Sequence, residues 1–244
     1  MFKHFNDANI EISREDILNI IGVSPVNIKC YQKAFIHKSV LRFLANQEEE
    51  SLKTSYERYE FLGDSVLNLV IATFVFHKYP DKDEGFLTRI RTKLVNGKTL
   101  AYLSKMINLN KFLIISKNDE AIGGRNNDRF LEDIFEALIC AINLDLGFKY
   151  AEQFILNMIH QYINFSELEE DTNYKDILLR RCQQTLQTNP EYELIETSGP
   201  PHKKMFTSVV LIKGVRYSKG TSKTKKESEQ IASKITLENL EKIN

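Results

Sequence analysis

Apolar residues recur every three or four positions through the first 160 residues of the chain, with almost no alternation of apolar and polar residues. This spacing gathers apolar side chains on one face of an α-helix and is typical of packed amphipathic helices. The pattern predicts an early helix around Ile17, Ile20 and Ile21, followed by helices over residues 29–37, 56–77, 85–106, 129–146 and 150–160. The first part of the chain should therefore be all-α.

The periodicity changes after residue 173. A helix is predicted over residues 174–186, then strands over 192–197, 205–212 and 215–218, where apolar and polar residues alternate, and finally a helix over 224–240. The element order α-β-β-β-α indicates a small α+β domain.

A short acidic stretch, SELEED at residues 166–171, separates the two patterns and is too polar to form a core. We therefore predict a multidomain chain. An all-helical domain occupies residues 1–163, an acidic linker occupies 164–172, and the α+β domain occupies 173–244.

The charge of the chain is balanced overall, with 33 Lys and Arg against 33 Asp and Glu, so the total predicts neither a nucleic-acid nor a membrane partner. The distribution is uneven. Residues 173–244 hold 13 basic and 8 acidic residues, a net charge of +5, which leaves −5 for residues 1–172. A basic tail domain thus follows an acidic body.

The longest predominantly apolar run, residues 66–76, has 11 residues and is interrupted by Asn68 and Thr73, whereas a membrane span needs about 20. The first residues lack the pattern of a secretory signal. The three cysteines, Cys30, Cys140 and Cys182, are scattered without zinc-ligand spacing. These features predict an intracellular, cytoplasmic protein with reduced thiols and no membrane association.

Three acidic residues share one face of the helix predicted over residues 56–77. Glu57, Glu60 and Asp64 are spaced i, i+3 and i+7, within roughly 60° of one another around a helix. Like charges placed so closely repel unless a cation or protons compensate them.

A second acidic pair, Asp133 and Glu136, lies inside the strongly apolar stretch of residues 130–141. Charged residues are rarely buried unless they are paired or bind a metal. If the two helices face each other, the carboxylates converge, and hard oxygen ligands of this kind suit Mg²⁺ or Mn²⁺. Metal-assisted phosphoryl transfer is the chemistry that follows. A solvated acidic helix face is the alternative for either cluster alone.

The segment ERYEFLGDS at residues 57–65 resembles the signature helix of the ribonuclease III family, with Tyr59 in place of the usual Leu. The segment DEGFLTR at 83–89 is similar to the second acidic motif of the family, and LEDIFEAL at 131–138 to the third. The segment AFIHKS at 34–39 resembles its early helix. The motifs stand in family order.

This resemblance implies an all-helical nuclease domain that acts as a homodimer and hydrolyses double-stranded RNA, leaving 5′-phosphate and 3′-hydroxyl ends. The implied cofactor is Mg²⁺, with Mn²⁺ able to substitute. The implied direct metal ligands are Glu60, Asp64, Asp133 and Glu136. The implied catalytic residues are Asp64, Glu136, Glu57 and Glu84. Of these, Glu57 and Glu84 lie in the outer part of the site, where they would orient water or support a second metal.

The start of the last predicted helix carries the basic segment KTKK at residues 223–226. Lysines at a helix N-terminus interact unfavourably with the helix dipole, and this cost is easier to understand if phosphates bind there. A merely solvated basic turn is the alternative. The tail resembles a double-stranded RNA-binding domain. The resemblance implies that Lys223, Lys225 and Lys226 contact major-groove phosphates and that His202 reaches the minor groove.

Several positions depart from the family pattern. Leu179 and Arg180 stand where Gln and Glu are common, and Ser228 and Ser233 where Ala is usual. Residues 40–55 form an acidic insertion before the signature helix, which we expect to be a solvated loop.

Three functions follow from these patterns. A double-strand-specific endoribonuclease is favoured because all six acidic positions of the family are still acidic. The alternatives are a catalytically inert double-stranded RNA-binding or ribosome-associated protein on the same fold, and an RNA-sequestering protein such as a silencing suppressor.

Overall fold

The computed structural model of the chain describes residues 12–41, 55–170, 173–200 and 203–241. The chain divides into two compact units, Met1–Leu168 and Glu169–Asn244. The described part of the first unit is built from α-helices and short 3₁₀ turns: α1 (Arg14–Ile21), α2 (Ile28–Lys33), α3 (Glu57–Lys78), α4 (Glu84–Val95), α5 (Gly97–Met106), α6 (Lys117–Ala121), α7 (Asp128–Leu146), α8 (Phe148–Tyr162) and α9 (Phe165–Glu169).

Helix α7 runs through the core of the first unit, and ten of its residues between Leu131 and Ile142 are buried. Helix α3 packs against it, and Leu67 and Ile71 of α3 are almost fully buried in the same core. Burying side chains of this size stabilises the fold by about 1.5–3 kcal/mol each. The two helices approach closely because Gly63 has no side chain: a Cβ there would overlap the carbonyl oxygen of Glu136.

Helix α3 is, by length and composition alone, apolar enough to cross a membrane. In the structure, the apolar side chains of Val66, Val70 and Val75 are buried in the core of the first unit. The apolar character of α3 is therefore explained in part by helix packing.

The loop before α7 is fixed by Arg125. Its guanidinium donates to both carboxylate oxygens of Glu120 at 2.6–3.0 Å and to the carbonyls of Asn110 and Leu113 at 2.7 and 2.9 Å. Gly123 before it has φ +82°, a conformation that glycine adopts without steric cost. These contacts hold the loop, and Asn127 caps the start of α7 by accepting a hydrogen bond from the Arg129 N–H at 2.9 Å.

Three predictions for the first unit and the linker differ from the structure. The helix predicted over residues 85–106 is two helices, because Asn96 is extended and its side chain accepts a hydrogen bond from the Thr99 N–H at 3.1 Å, which caps α5. The helix predicted over residues 29–37 ends at Lys33. The segment predicted as a linker begins with α9, whose Phe165 and Leu168 pack against the core of the first unit.

The described part of the second unit has the predicted order α-β-β-β-α: α10 (Tyr174–Leu186), β1 (Glu191–Ser198), β2 (Met205–Ile212), β3 (Val215–Ser222) and α11 (Lys225–Glu241). The strands form an antiparallel sheet in the order β1-β2-β3. Lys213 and Gly214 both have positive φ in the β2–β3 turn, as the type I′ turn of a two-residue hairpin requires. Strand β3 is longer than predicted, and Gly220 within it lies against the backbone of α11.

The two serines that replace alanine on α11 are buried and hydrogen-bonded. Ser228 lies 2.7 Å from the hydroxyl of Ser208, and Ser233 lies 2.7 Å from the hydroxyl of Tyr192. Buried hydroxyls with partners carry little net cost. The domain therefore accommodates both departures from the family pattern.

Candidate active site and RNA-binding face

The crossing of α3 and α7 brings the two acidic clusters together. Glu136 is only 7% exposed, and burial raises its pKa to about 8, helped by the negative charges of Asp64, Glu132, Glu60 and Asp133. A carboxyl group that is buried among other carboxylates holds its proton unless a positive charge compensates it. The four acids predicted as metal ligands are thus neighbours in the folded chain.

The pKa values of Glu60 and Asp133 are also raised. Burial raises the pKa of Glu60, and the negative charges of Asp133 and Glu57 add to the effect. Burial also raises the pKa of Asp133, although the Tyr56 hydroxyl donates to its Oδ2 at 3.1 Å and works in the opposite direction. Burial likewise raises the pKa of Tyr56, so its phenol stays protonated.

The oxygen donors of this cluster are those that Mg²⁺ and Mn²⁺ prefer. Among the residues that the structure describes, no three His, Cys, Asp or Glu side chains lie close enough together to hold a metal ion as they stand. Mutual repulsion of the carboxylates opposes a closer approach. The cluster therefore fits a divalent cation by its chemistry and its excess of negative charge.

Glu57 lies at the exposed edge of the cluster. It accepts hydrogen bonds from Lys38 Nζ at 2.8 Å and from Ser55 Oγ at 3.1 Å, and the bond from Lys38 lowers its pKa. A cavity of about 450 Å³ opens here, and its lining residues are His37, Lys38, Tyr56, Glu57, Glu60, Arg129, Phe130 and Asp133. Glu57 therefore shares a cavity with two of the predicted metal ligands.

Glu84 is not brought to the other acids within one chain. It begins α4, is exposed, and accepts a hydrogen bond from the hydroxyl of Thr88 on its own helix at 2.8 Å. The charges that shift the pKa values of the cluster acids do not include Glu84.

Sequence reasoning missed Glu132. It is half-buried on α7, and burial raises its pKa, reinforced by the charges of Asp133 and Asp64. Its carboxylate lies against Gly97 at the start of α5, where a Cβ would overlap it. The available signal was its i, i+4 spacing to Glu136, which places both on one helix face.

Arg129 was also missed. This exposed residue lies one helical turn before Asp133, and its positive charge partly offsets the rise in pKa that burial causes in Glu60, Glu132 and Asp133. It lines the same cavity, so it is a cationic neighbour of the cluster. Its i, i+4 spacing to Asp133 was the signal in the sequence.

Three lysines of the second unit lie at or just before the start of α11. Lys223, Lys225 and Lys226 are exposed, and the Thr224 hydroxyl accepts a hydrogen bond from the Glu227 N–H at 3.2 Å. Arg180, one of the departures on α10, is exposed and lies 3.1 Å from Asp176. His202 lies outside the described residues, as do residues 42–54 of the acidic insertion.

Comparison with known proteins identifies the family. A family model described as ribonuclease-III-like matches residues 27–163, and a model of the double-stranded RNA binding motif matches residues 174–240. The chain belongs to the ribonuclease III family. It is a ribonuclease III-type endoribonuclease of double-stranded RNA, with an all-α nuclease domain followed by a double-stranded RNA-binding domain.

Individual relatives agree with this assignment. A putative protein of Paramecium bursaria Chlorella virus 1 is 37% identical over 94% of this chain and 80% of its own length. Ribonuclease 3 of Treponema denticola is 35% identical over 90% of this chain and 87% of its own length. A solved structure of the nuclease domain of ribonuclease III from Campylobacter jejuni, described for its region involved in dimer formation, matches with a TM-score of 0.55 and 32% identity. It covers 62% of this chain and 99% of that one. The predicted fold class and enzyme class are confirmed.

Proposed function

We propose that this endoribonuclease cuts double-stranded RNA by a divalent-metal-dependent hydrolysis that leaves 5′-phosphate and 3′-hydroxyl ends. The observation that carries the proposal is the burial of Glu136 among Asp64, Glu132, Glu60 and Asp133. Such a group of carboxylates is costly in a folded protein without a compensating cation.

Glu60, Asp64, Asp133 and Glu136 would hold Mg²⁺, with Mn²⁺ as a substitute. When bound, the ion activates water for attack and offsets charge on the phosphoryl oxygens. The chain's own residues supply the ionised carboxylates and shape the cavity. Arg129 favours the ionised forms of Glu60 and Asp133.

Glu57 stays ionised at the cavity edge because Lys38 donates to it. Through one intervening water, a carboxylate in this place can orient the attacking nucleophile. Burial lowers the pKa of His37, which makes its imidazole a weaker base, and its Nδ1 lies 2.8 Å from the hydroxyl of Ser39.

A homodimer is part of the proposal. Phe61, Leu69 and Phe76 on α3 are 77%, 57% and 64% exposed and lie on one side of that helix. Large apolar side chains exposed in a row favour burial against another surface. A second copy of the chain supplies that surface and a second acidic cluster, so that each cluster cuts one strand.

Incubation of the purified full chain with long double-stranded RNA tests this proposal. Cleavage is expected with Mg²⁺ and not with excess EDTA, and the products are expected to be ligated at their 5′ ends without prior phosphorylation. Turnover in EDTA would contradict the metal mechanism. Tight RNA binding without cleavage under every metal tested would favour the inert or sequestering alternative.

A further inference from the structure

We propose that Tyr56 is a positioning residue for Asp133: its hydroxyl holds one carboxylate oxygen so that the other is presented to the divalent ion. The inference rests on the metal-dependent reaction proposed above. Tyr56 is not among the acidic positions of the site, and it directly precedes α3.

The position of Tyr56 is fixed by main-chain contacts on both sides. Its N–H donates to the carbonyl of Ile36 at 2.8 Å, and its own carbonyl accepts from the N–H groups of Tyr59 and Glu60 at 2.7 and 2.8 Å. Its side chain is 1% exposed. The phenol is therefore held by the first turn of α3 and cannot swing into solvent without disturbing that turn.

The contact with Asp133 joins the two helices that carry the acidic cluster. The Tyr56 hydroxyl donates to Oδ2 of Asp133 at 3.1 Å, across 77 positions of the sequence. A phenol has a single O–H donor, and a carboxylate has two oxygens that accept. The bond engages Oδ2 and leaves Oδ1 outside this contact.

Both residues line the cavity that also holds Glu57 and Glu60. Hydrogen-bond partners of ligating carboxylates orient the ligand, and loss of such a partner typically lowers metal affinity or activity about 10- to 100-fold. The Tyr56 hydroxyl stands in that relation to Asp133. A neutral donor also leaves the negative charge of Asp133 available to the cation.

A purely structural role for Tyr56 is the alternative. Its ring lies 5.7 Å from the ring of His37, so it contributes to packing. The substitution Tyr56→Phe retains the ring and removes only the hydroxyl. Tyr59→Phe is a matched control, because Tyr59 lies three residues after Tyr56, in the first turn of α3, and its hydroxyl interacts with Cys30 instead of an acid.

The test measures Mn²⁺ binding by isothermal titration calorimetry on the full chain without RNA, together with the Mg²⁺ concentration that gives half-maximal cleavage. We expect Tyr56→Phe to weaken Mn²⁺ binding about 10- to 100-fold and to raise the half-maximal Mg²⁺ concentration, with cleavage recovering at high Mg²⁺. Tyr59→Phe should bind Mn²⁺ as the wild type does. Wild-type affinity in Tyr56→Phe, or an equal loss in both variants, would overturn the inference.

A double-mutant cycle with Asp133→Asn separates the positioning role from a stability effect. If Tyr56 acts through Asp133, Tyr56→Phe should cause no further loss of Mn²⁺ affinity in the Asp133→Asn background. This should hold even if the double variant has a lower melting temperature than Asp133→Asn alone. Full additivity of the two effects would overturn the inference. A wild-type chain that cuts in EDTA would overturn the proposed function, and the inference with it.

Discussion

Gly63 on α3 lies directly against the main-chain carbonyl of Glu136 on α7. This contact sets the distance between the two helices at the level of the acidic cluster. A glycine is required there because the neighbour is backbone, which cannot turn aside as a side chain can.

Gly63→Ala should therefore force α3 and α7 apart. We expect a loss of about 1–3 kcal/mol in the free energy of unfolding, as for other overpacked cores, together with weaker metal-dependent cleavage. Urea denaturation and cleavage assays measure both. Gly85→Ala is the control, because the nearest atom to a Cβ there is a side-chain oxygen of Asp83 at 3.6 Å. Equal effects of the two substitutions would show that the close approach does not matter.

Glu136→Gln retains the shape of the side chain and removes its charge. Cleavage should fall by orders of magnitude, because several kcal/mol of transition-state stabilisation are lost, while affinity for double-stranded RNA stays nearly unchanged. Single-turnover cleavage and filter binding report the two quantities. Asp81→Asn removes one negative charge from an exposed site and should cleave normally. A fully active Glu136→Gln protein would contradict the metal mechanism.

The stability of the metal-free protein should fall as the pH rises. The folded pKa of Glu136, about 8, lies above the ordinary 4.5, so the unfolded chain loses this proton first and the folded state is disfavoured progressively between these two values. Melting temperatures at pH 5, 6, 7 and 8 should show this decrease. Added Mg²⁺ should raise Tm most at pH 8, and Glu136→Gln should flatten the pH dependence. A Tm that rises steadily to pH 8 without metal would contradict this assignment.

Replacing Lys225 and Lys226 with Ala should weaken binding to all double-stranded RNA sequences and flatten its salt dependence. The slope of log K against log salt should change by roughly 0.7–0.9 for each phosphate that the variant no longer binds. Filter-binding titrations at several salt concentrations measure it. The control is the double substitution of Lys213→Asn and Lys219→Ala, which also removes two positive charges from the second unit. Lys213 lies in the turn at the other end of β3. Unchanged affinity and slope in the Lys225 and Lys226 variant would show that these lysines do not bind phosphate.

Phe61→Asp should convert a dimer into a monomer, because it places a charge on the exposed apolar side of α3. Light scattering at micromolar concentration should show a wild-type mass near twice 28.3 kDa and a variant mass near 28.3 kDa. Ile122→Asp changes an 84% exposed apolar residue on a different surface segment and should leave the mass unchanged. A wild-type monomer that still makes paired cuts would contradict the proposed dimer.

The sequence by itself determined the all-α class of the first unit, the element order of the second unit and the family. Helical and strand periodicities depend on local spacing, so α-β-β-β-α and the acids at i, i+3 and i+7 could be recognised without coordinates. The motifs around Glu60 and Glu136 are also contiguous in the chain, and the family model matches the segments that carry them.

Only the tertiary structure decided which side chains meet. The break between α4 and α5 at Asn96 depends on a capping hydrogen bond. Helix α9 forms in a largely acidic segment because Phe165 and Leu168 pack against the core of the first unit. The crossing at Gly63 joins Glu132 to the cluster, and the first turn of α3 brings Tyr56 to Asp133 across 77 positions of the sequence. Glu84, by contrast, has its hydrogen-bond partner, Thr88, on its own helix. Burial and long-range contacts create the raised pKa of Glu136, and periodicity along a chain does not encode either of them directly.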